Sequence, residues 1–495
     1  MKIKPSFSEF KQMAQKGNLI PVHQEFLADI ETPVSAYLKL KDDSYAYLLE
    51  SAEGGKRWGR YSFIGCRPYL RAISRDSCME IYEGKKNTVI KNVRNPLDVM
   101  RNLCAKFKPV AVDDLPPFQG GLVGFFNYDL IRKWEHLPHI SPADKNHPEA
   151  VFIACRHLIV FDHFTHLIKV VSFAHLKKNT DLKTAYDQAC RMVVQITAKL
   201  QSPLPSNLNN GSLTLSDLKP NLSKIDFENA VRKAKDYIVA GEAIQVVLSQ
   251  QFSATASGED FALYRSLRSV NPSPYMFYLN FGDIKLIGAS PEILARLTDG
   301  KIELRPIAGT RPRGATPEED QALEEELMAD PKERAEHIML VDLGRNDVGK
   351  VAASGSVSVP RLMEIERYSH VMHIVSRVEG ILKPSADCFD VFMSAFPAGT
   401  VSGAPKIRAM EIISELEPCA RESYAGAVGY FGFNGNMDFC ITIRTITIMK
   451  NRLCIQVGAG IVADSSPEKE YEETLKKAGA MFKAIEKVKD NDCAH

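Results

Sequence analysis

The sequence predicts an α+β chain in which large antiparallel β-sheets pack against helices, and three observations carry that prediction. Strand-like and helix-like segments are both plentiful yet do not alternate strictly, as a doubly wound parallel sheet would require. Two late strand signals flank Lys450–Arg452 as a hairpin, which joins antiparallel neighbours. Neither G-x-x-x-x-G-K-[ST] nor a G-x-G-x-x-G between strand and helix occurs, so the nucleotide-binding readings lose their usual support.

The elements follow in chain order. Tyr45–Leu49 and Leu158–Asp162 read as strands of an N-terminal region, residues 1–200. Residues 201–223 (QSPLPSNLNNGSLTLSDLKPNLS) concentrate Ser, Asn, Pro and Gly and read as a linker to a second region, 224–489. There, Phe227, Ala230, Val231, Ala234, Tyr237 and Ile238 recur at helical spacing until Gly241 supplies a stop. In Ala243–Phe252 the apolar Ile244, Val246 and Leu248 share one strand face and Gln245 and Ser249 the other. Further strands are expected at Tyr275–Phe281, Lys285–Ala289, Ile302–Ile307, Cys440–Met449 and Leu453–Val457. Thr316-Pro317-Glu318-Glu319 joins a capping box to a proline at the first helical position, so a helix should run toward Leu343, kinked or divided near Pro331. Ser466-Pro467 opens the last helix, with Tyr471, Leu475, Ala478, Phe482 and Ile485 as its expected buried stripe.

Composition narrows the class. The chain has 495 residues, 45% hydrophobic and 25% charged, close to globular averages and unlike disordered or membrane chains. A formal net charge of +1 provides no general field for a polyanion, which argues against a nucleic-acid partner. Met1–Asn18 has no apolar core of a secretory signal, and no stretch approaches the ~18 apolar residues of a membrane span. Ten scattered cysteines without a C-x-x-C pair read as reduced thiols of a cytoplasmic enzyme.

Several groups carry chemistry. Glu333 and Glu336 stand three apart in one expected helix, Glu470 and Glu473 in another, so each pair lies on one helix face. Converging carboxylates of this kind suit Mg²⁺, which takes oxygen ligands and completes its shell with water and an anionic substrate; a solvated acidic helix face reads the same way. Glycine turns at Gly309-Thr310, Gly399-Thr400, Gly403-Ala404 and Gly458-Ala459-Gly460 allow backbone N–H groups to approach an anion, though ordinary turns use glycine too. Arg444, within the expected strand Cys440–Met449, needs an acid or a bound carboxylate as partner. His373 sits in an apolar run, as either a core histidine or a catalytic one. These residues alone specify no reaction.

Taken in order, Gly288-Ala289-Ser290-Pro291-Glu292, Pro306-Ile307-Ala308-Gly309-Thr310-Arg311, the run Glu336 to Asp347, Ser402-Gly403-Ala404-Pro405-Lys406 and Gly458-Ala459-Gly460 resemble the chorismate-utilising enzymes. The resemblance is strong over about 225–485 and looser before it, and within the family it is closest to the branch that forms anthranilate. Two positions set the branch. Members that add water carry a lysine base where this strand has Gln245, and a neutral amide cannot take that role. Aminodeoxychorismate synthases resemble P-I-K-G-T where this chain has Ala308, so ammonia becomes the direct nucleophile.

The resemblance implies Mg²⁺ held by Glu336 and Glu473, with Glu333 and Glu470 supporting its shell and Glu333 also counted with the catalytic groups. It implies Glu292 as the acid that protonates the departing 4-hydroxyl of chorismate, and His373 in the later loss of pyruvate, with Thr400 beside them. Arg444 and Tyr424 should grip the enolpyruvyl carboxylate; Gly309, Thr310, Gly458, Ala459, Gly460, Gln245 and Lys406 complete the substrate-binding set. None of the ten cysteines stands in a G-x-C-x-G elbow, so ammonia must come from a separate glutamine amidotransferase subunit. Glu50, Ser51, Asn271, Pro274, Tyr275, Met276 and Cys440 resemble the family's tryptophan feedback site, and Cys440 and Arg444 on one strand would couple the two sites. The rival readings are an aminodeoxychorismate or aminodeoxyisochorismate synthase and a silent tryptophan-binding regulatory protein.

Overall fold

Two antiparallel sheets absorb the expected strands. The computed structural model describes residues 2–41, 45–51, 59–137, 147–204, 213–368 and 371–489. The first sheet has 13 strands and the second 12, and every pairing between their strands is antiparallel. Both sheets are built from each side of residues 201–223. Tyr45–Glu50 pairs with Tyr275–Phe281 in the first sheet, and Gly121–Phe126 pairs with Ala427–Gly432 in the second. Leu213–Leu215 and Lys219–Pro220, inside the expected linker, themselves add short strands to Gln245–Gly258.

Side-chain alternation turns the sheets into four layers. Ala46, Leu48, Met276 and Tyr278 point outward from the first sheet onto Pro33–Leu40, Leu182–Leu200, Phe261–Val270 and the long helix Pro467–Lys489. Phe126, Phe152, Leu304 and Val378 point outward from the second onto Pro96–Cys104, Pro331–Gly349 and Cys388–Ala395. Tyr47, Phe125, Ile153, Phe277, Leu286 and Val428 meet between the sheets as a third core. Each such side chain removed from water contributes roughly 1.5–3 kcal/mol of burial, set against the entropy of ordering it.

Helix boundaries follow their caps. Thr316 caps Pro317–Ala329, and the break expected near Pro331 falls at Asp330, whose carboxylate accepts from the N–H groups of Lys332 and Glu333 to start Pro331–Gly349. The last helix begins at Pro467, and its buried face is Glu470, Thr474, Ala478, Met481 and Ile485, which shares Ala478 and Ile485 with the expected stripe. Tyr471, Leu475 and Phe482 are only half-buried, because they pack at the margins of the helix–sheet contact.

Two expected strands are corrected. Ile302–Ile307 stops at Leu304, and Ile307 opens a separate strand, Ile307–Pro312. Cys440–Met449 divides into Met437–Ile441 of the second sheet and Thr445–Met449 of the first, and Arg444 sits between them at φ 49°. A matching crossing runs from Ile284–Ser290 in the first sheet to Ile293–Thr298 in the second, and Glu292 lies on it. Both crossings pass where the sheets part.

Candidate active site

Glu292 is buried, and the hydroxyl of Thr400, at the start of the short helix Gly399–Ser402, donates to its Oε1 at 2.7 Å. Burial pushes the Glu292 carboxyl up to about 8, against the Thr400 bond and the positive charges of Arg444 and Lys477, which favour the ionised form. A carboxyl in that range holds its proton at neutral pH.

His373 lies on Val371–Ile381 opposite Thr310 of Ile307–Pro312, with a register shift between Ala308 and Thr310. Its Nδ1 is 2.9 Å from the Gly309 carbonyl oxygen and 3.1 Å from the Thr310 hydroxyl. Gly309 adopts φ 68°, a left-handed conformation glycine enters without strain. Burial, then the nearby charge of Arg444, lowers the affinity of His373 for a proton, while the Gly309 carbonyl opposes them. Arg444 thus acts on Glu292 and His373 together, at the corner where the second crossing meets both sheets.

The glycines of Arg452–Ile461 create the opposite wall. A Cβ at Gly458 would stand 2.6 Å from the Tyr424 hydroxyl, and one at Gly460 would stand 2.4 Å from Gln245 Nε2. Only a strand without side chains at these two positions lets Tyr424 and Gln245 lie across it. Ala459 points the other way, into the core beneath Lys224–Val239 and Lys406–Leu416, so its side chain is not part of the site.

Gln245 Nε2 donates to Glu336 Oε1 at 3.3 Å, while its own Oε1 is buried without a partner. Burial raises the Glu336 carboxyl, and the negative charge of Glu333 and, less, of Glu473 raises it further. Glu470 is likewise raised, by burial and by Glu473. The helices Pro331–Gly349 and Pro467–Lys489 therefore bring their acids into mutual range. They do not form a closed cage: among the described residues no three His, Cys, Asp or Glu side chains converge closely enough to hold an ion. Two of the four glutamates are engaged by local ion pairs: Arg311 reaches Glu333 at 3.4 Å and Lys477 reaches Glu473 at 2.7 Å.

Lys406 gives its ammonium to Asp347 at 2.8 Å, and Asp347 lines the same small cavity as Glu292 and Thr400.

Four residues here were given no role from the sequence. Lys477 donates to the Gly458 carbonyl at 3.1 Å and its charge reaches Glu292, Glu336 and Glu470; its signal was legible, since it stands four residues after Glu473 on the same helix face. Arg311 ties Glu326, Asp330 and Glu333 together at the junction of two helices. Arg421 and Glu417 form a buried pair at 2.6 Å, with Glu417 also accepting from the Ser249 hydroxyl at 2.8 Å. No sequence spacing announced that the Arg421–Glu417 pair reaches Ser249.

The residues assigned to a feedback site fall on both faces of the first sheet and, for Cys440, on the inner face of the second. Glu50 and Met276 face the helices, where Tyr264 and Arg268 hold the Glu50 carboxylate, Arg268 at 3.0 Å. Tyr275 and Cys440 face between the sheets, where the Tyr275 hydroxyl donates to Asp438 at 2.9 Å and Cys440 is fully buried. Ser51 Oγ is buried without a partner, Asn271 Nδ2 is 3.4 Å from Ser273 Oγ, and Pro274 is half-buried. Cys440 and Arg444 do not share a strand; what joins them is the crossing chain, four residues long in sequence separation.

Comparison with known proteins follows the geometry. The chorismate binding enzyme family matches residues 45–483. The chain is 47% identical to anthranilate synthase component 1 of Acetivibrio thermocellus over 98% of this chain and 99% of that protein. It is 48% identical to the protein of the same name from Synechocystis, over 98% and 99% of the two chains. Among solved structures, anthranilate synthase component I from Streptococcus pneumoniae superposes with a TM-score of 0.77 at 37% identity, covering 92% of this chain and 98% of the other.

Proposed function

The chain belongs to the chorismate binding enzyme family, and on that premise we propose that it converts chorismate and ammonia into anthranilate, pyruvate and water, the reaction of an anthranilate synthase component 1. The observation that carries this reading is the buried Glu292 carboxyl, held near 8 and bonded to Thr400 in a wall that also contains Arg444 and His373. A protonated carboxyl is what a departing hydroxyl needs.

The residues divide the work as follows. Arg444 and Tyr424 hold the enolpyruvyl carboxylate, with N–H groups along Gly458–Gly460 and at Gly309-Thr310 available to the remaining anionic oxygens. Glu292 passes its proton to the 4-hydroxyl as that group leaves and ammonia bonds to the ring carbon beside the ring carboxylate. His373 then takes the proton from that carbon as the ring C–O bond to the enolpyruvyl group breaks and the ring becomes aromatic, and the released enolpyruvate takes up a proton to become pyruvate. Gln245 offers no base to a competing water. The hard oxygen donors Glu336 and Glu473, backed by Glu333 and Glu470, fit Mg²⁺, because carboxylates that raise one another's proton affinity are relieved by a divalent cation. When bound, Mg²⁺ would polarise the ring carboxylate as a Lewis acid.

Ammonia is supplied by a separate glutamine amidotransferase subunit, and tryptophan acts as feedback inhibitor through Ser51, Tyr275, Met276 and Cys440. No helix among the described residues is long and apolar enough to cross a membrane. The test is incubation of the chain alone with chorismate, ammonium and Mg²⁺, with and without EDTA, followed by anthranilate emission. Product with ammonium, none with glutamine and none with EDTA is expected. Failure to form anthranilate, or accumulation of an amino product that retains the enolpyruvyl group, overturns the reading.

A further inference from the structure

At the end of the inter-sheet core remote from the candidate active site lies a cavity of about 280 Å³. Ile73, Val151, Phe281, Ile284 and Met449 form its apolar walls, continuous with the core between the sheets. Its position separates it from both sites described above. Tyr45, Phe281 and Ile284 border it, whereas Glu50, Tyr275 and Ser290 stand at the opposite ends of the same three strands. Five or six residues at about 3.3 Å each place those ends roughly 15–20 Å away.

Two cations border this apolar space. Arg75, the last residue of Pro68–Arg75, has its Nε buried with no hydrogen-bond partner among the described residues. Lys450 sits at the tip of the hairpin joining Thr445–Met449 to Arg452–Ile461, at φ 53°, and its N–H donates to the Asp283 carbonyl at 2.8 Å. Asp283 also borders the cavity, so its lining residues carry two positive charges and one negative. Apolar walls with a few polar groups at one edge are the usual make-up of a small-molecule site. A guanidinium N–H without an acceptor is matched by a carboxylate, whose two oxygens fit its fork.

We propose that this cavity binds a small monocarboxylate with an apolar body, its carboxylate on Arg75 and Lys450 and its body among Ile73, Phe281 and Met449. The site is distinct from the proposed reaction and does not rest on it.

The experiment is calorimetric titration of the full chain with phenylacetate, its neutral counterpart phenylacetamide, and inorganic phosphate, each with and without saturating chorismate. Phenylacetate is expected to bind with chorismate present, with the amide and phosphate at least tenfold weaker. A hydrogen-bonded charge corresponds to roughly a ten- to hundredfold change in affinity, so Arg75→Met should weaken phenylacetate by that factor while leaving turnover unchanged. Lys450→Met, at an exposed hairpin tip, should weaken it severalfold and serves if Arg75→Met does not fold. Equal binding of the amide, equal binding of phosphate, displacement by chorismate, or full affinity in both variants would each overturn the proposal.

Discussion

The inward faces of the two sheets carry two different populations of side chains. Along Gly121–Phe126, Ala150–Cys155 and Tyr275–Phe281 they are Phe125, Ile153 and Phe277, packed on one another. Along Val371–Ile381, Lys301–Leu304, Gln245–Gly258 and Arg452–Ile461 the face turned from the helices carries His373, Arg377, Glu303, Ser249 and Gln456 instead. The period-two alternation is the same in both regions. Where the sheets touch, inward positions are filled by hydrocarbon that gains by leaving water. Where they part, inward positions hold polar groups that pair with one another: Gln456 donates to Ser249 at 2.8 Å, and Glu303 meets Arg377. Architecture thus comes from the first region and reactivity from the second, and substitutions should separate the two.

The sharpest separation is Glu292→Gln. It should leave folding intact and lower anthranilate formation by about a thousandfold or more, as loss of a positioned acid does; steady-state rates at neutral pH check this. The wild-type rate should fall as pH rises through about 8, where Glu292 loses its proton. Stability carries the same sign: the folded state keeps a proton that the unfolded chain releases above its ordinary 4.5, so this group's contribution is lost as pH rises from there through about 8. The glutamine variant should lack that part of the decline in chemical denaturation.

Phe125→Ala tests the apolar region from the other side. The ring is fully buried, and its removal should cost about 3–5 kcal/mol of stability while the turnover of folded molecules stays within about twofold. A collapse of kcat at preserved stability would break the comparison. His373→Met should lower anthranilate about a hundredfold while chorismate is still consumed, seen as an amino-substituted intermediate by mass. Gly460→Ala places a methyl 2.4 Å from Gln245 Nε2, and the displaced amide should lose its hold on Glu336. A fall of about tenfold in kcat/KM with Tm little changed is expected, and the matching loss should appear in the Mg²⁺ dependence.

Elements whose pattern is local were legible in the sequence. Thr316 and Asp330 announce two helix starts through side chains that cap their own backbone. The acids at 333, 336, 470 and 473 were placed on the right helices because three- and four-residue spacing fixes a helix face. Arg444 was misread for the opposite reason. An apolar run from Cys440 to Met449 looks like one strand, and only pairing partners far away in sequence, Ile293–Thr298 for one half and Ile284–Ser290 for the other, divide it between two sheets. In the last helix Ala478 and Ile485 are buried as expected, whereas the large Tyr471, Leu475 and Phe482 lie at the margin and the small Thr474 lets the helix settle against the sheet. Long-range contacts such as Thr400 with Glu292 leave no periodic trace, and the resemblance supplied what spacing could not.

The Gly309 carbonyl beside His373 has one more effect. A carbonyl only accepts, so Nδ1 at 2.9 Å must carry the ring's hydrogen, and the lone pair is left on Nε2. The tautomer is thereby written into the main chain, through a residue free to adopt φ 68°, with no orienting carboxylate bonded to Nδ1 among the described residues. A side chain at 309 would turn that peptide, and the imidazole would then be free to present the wrong nitrogen.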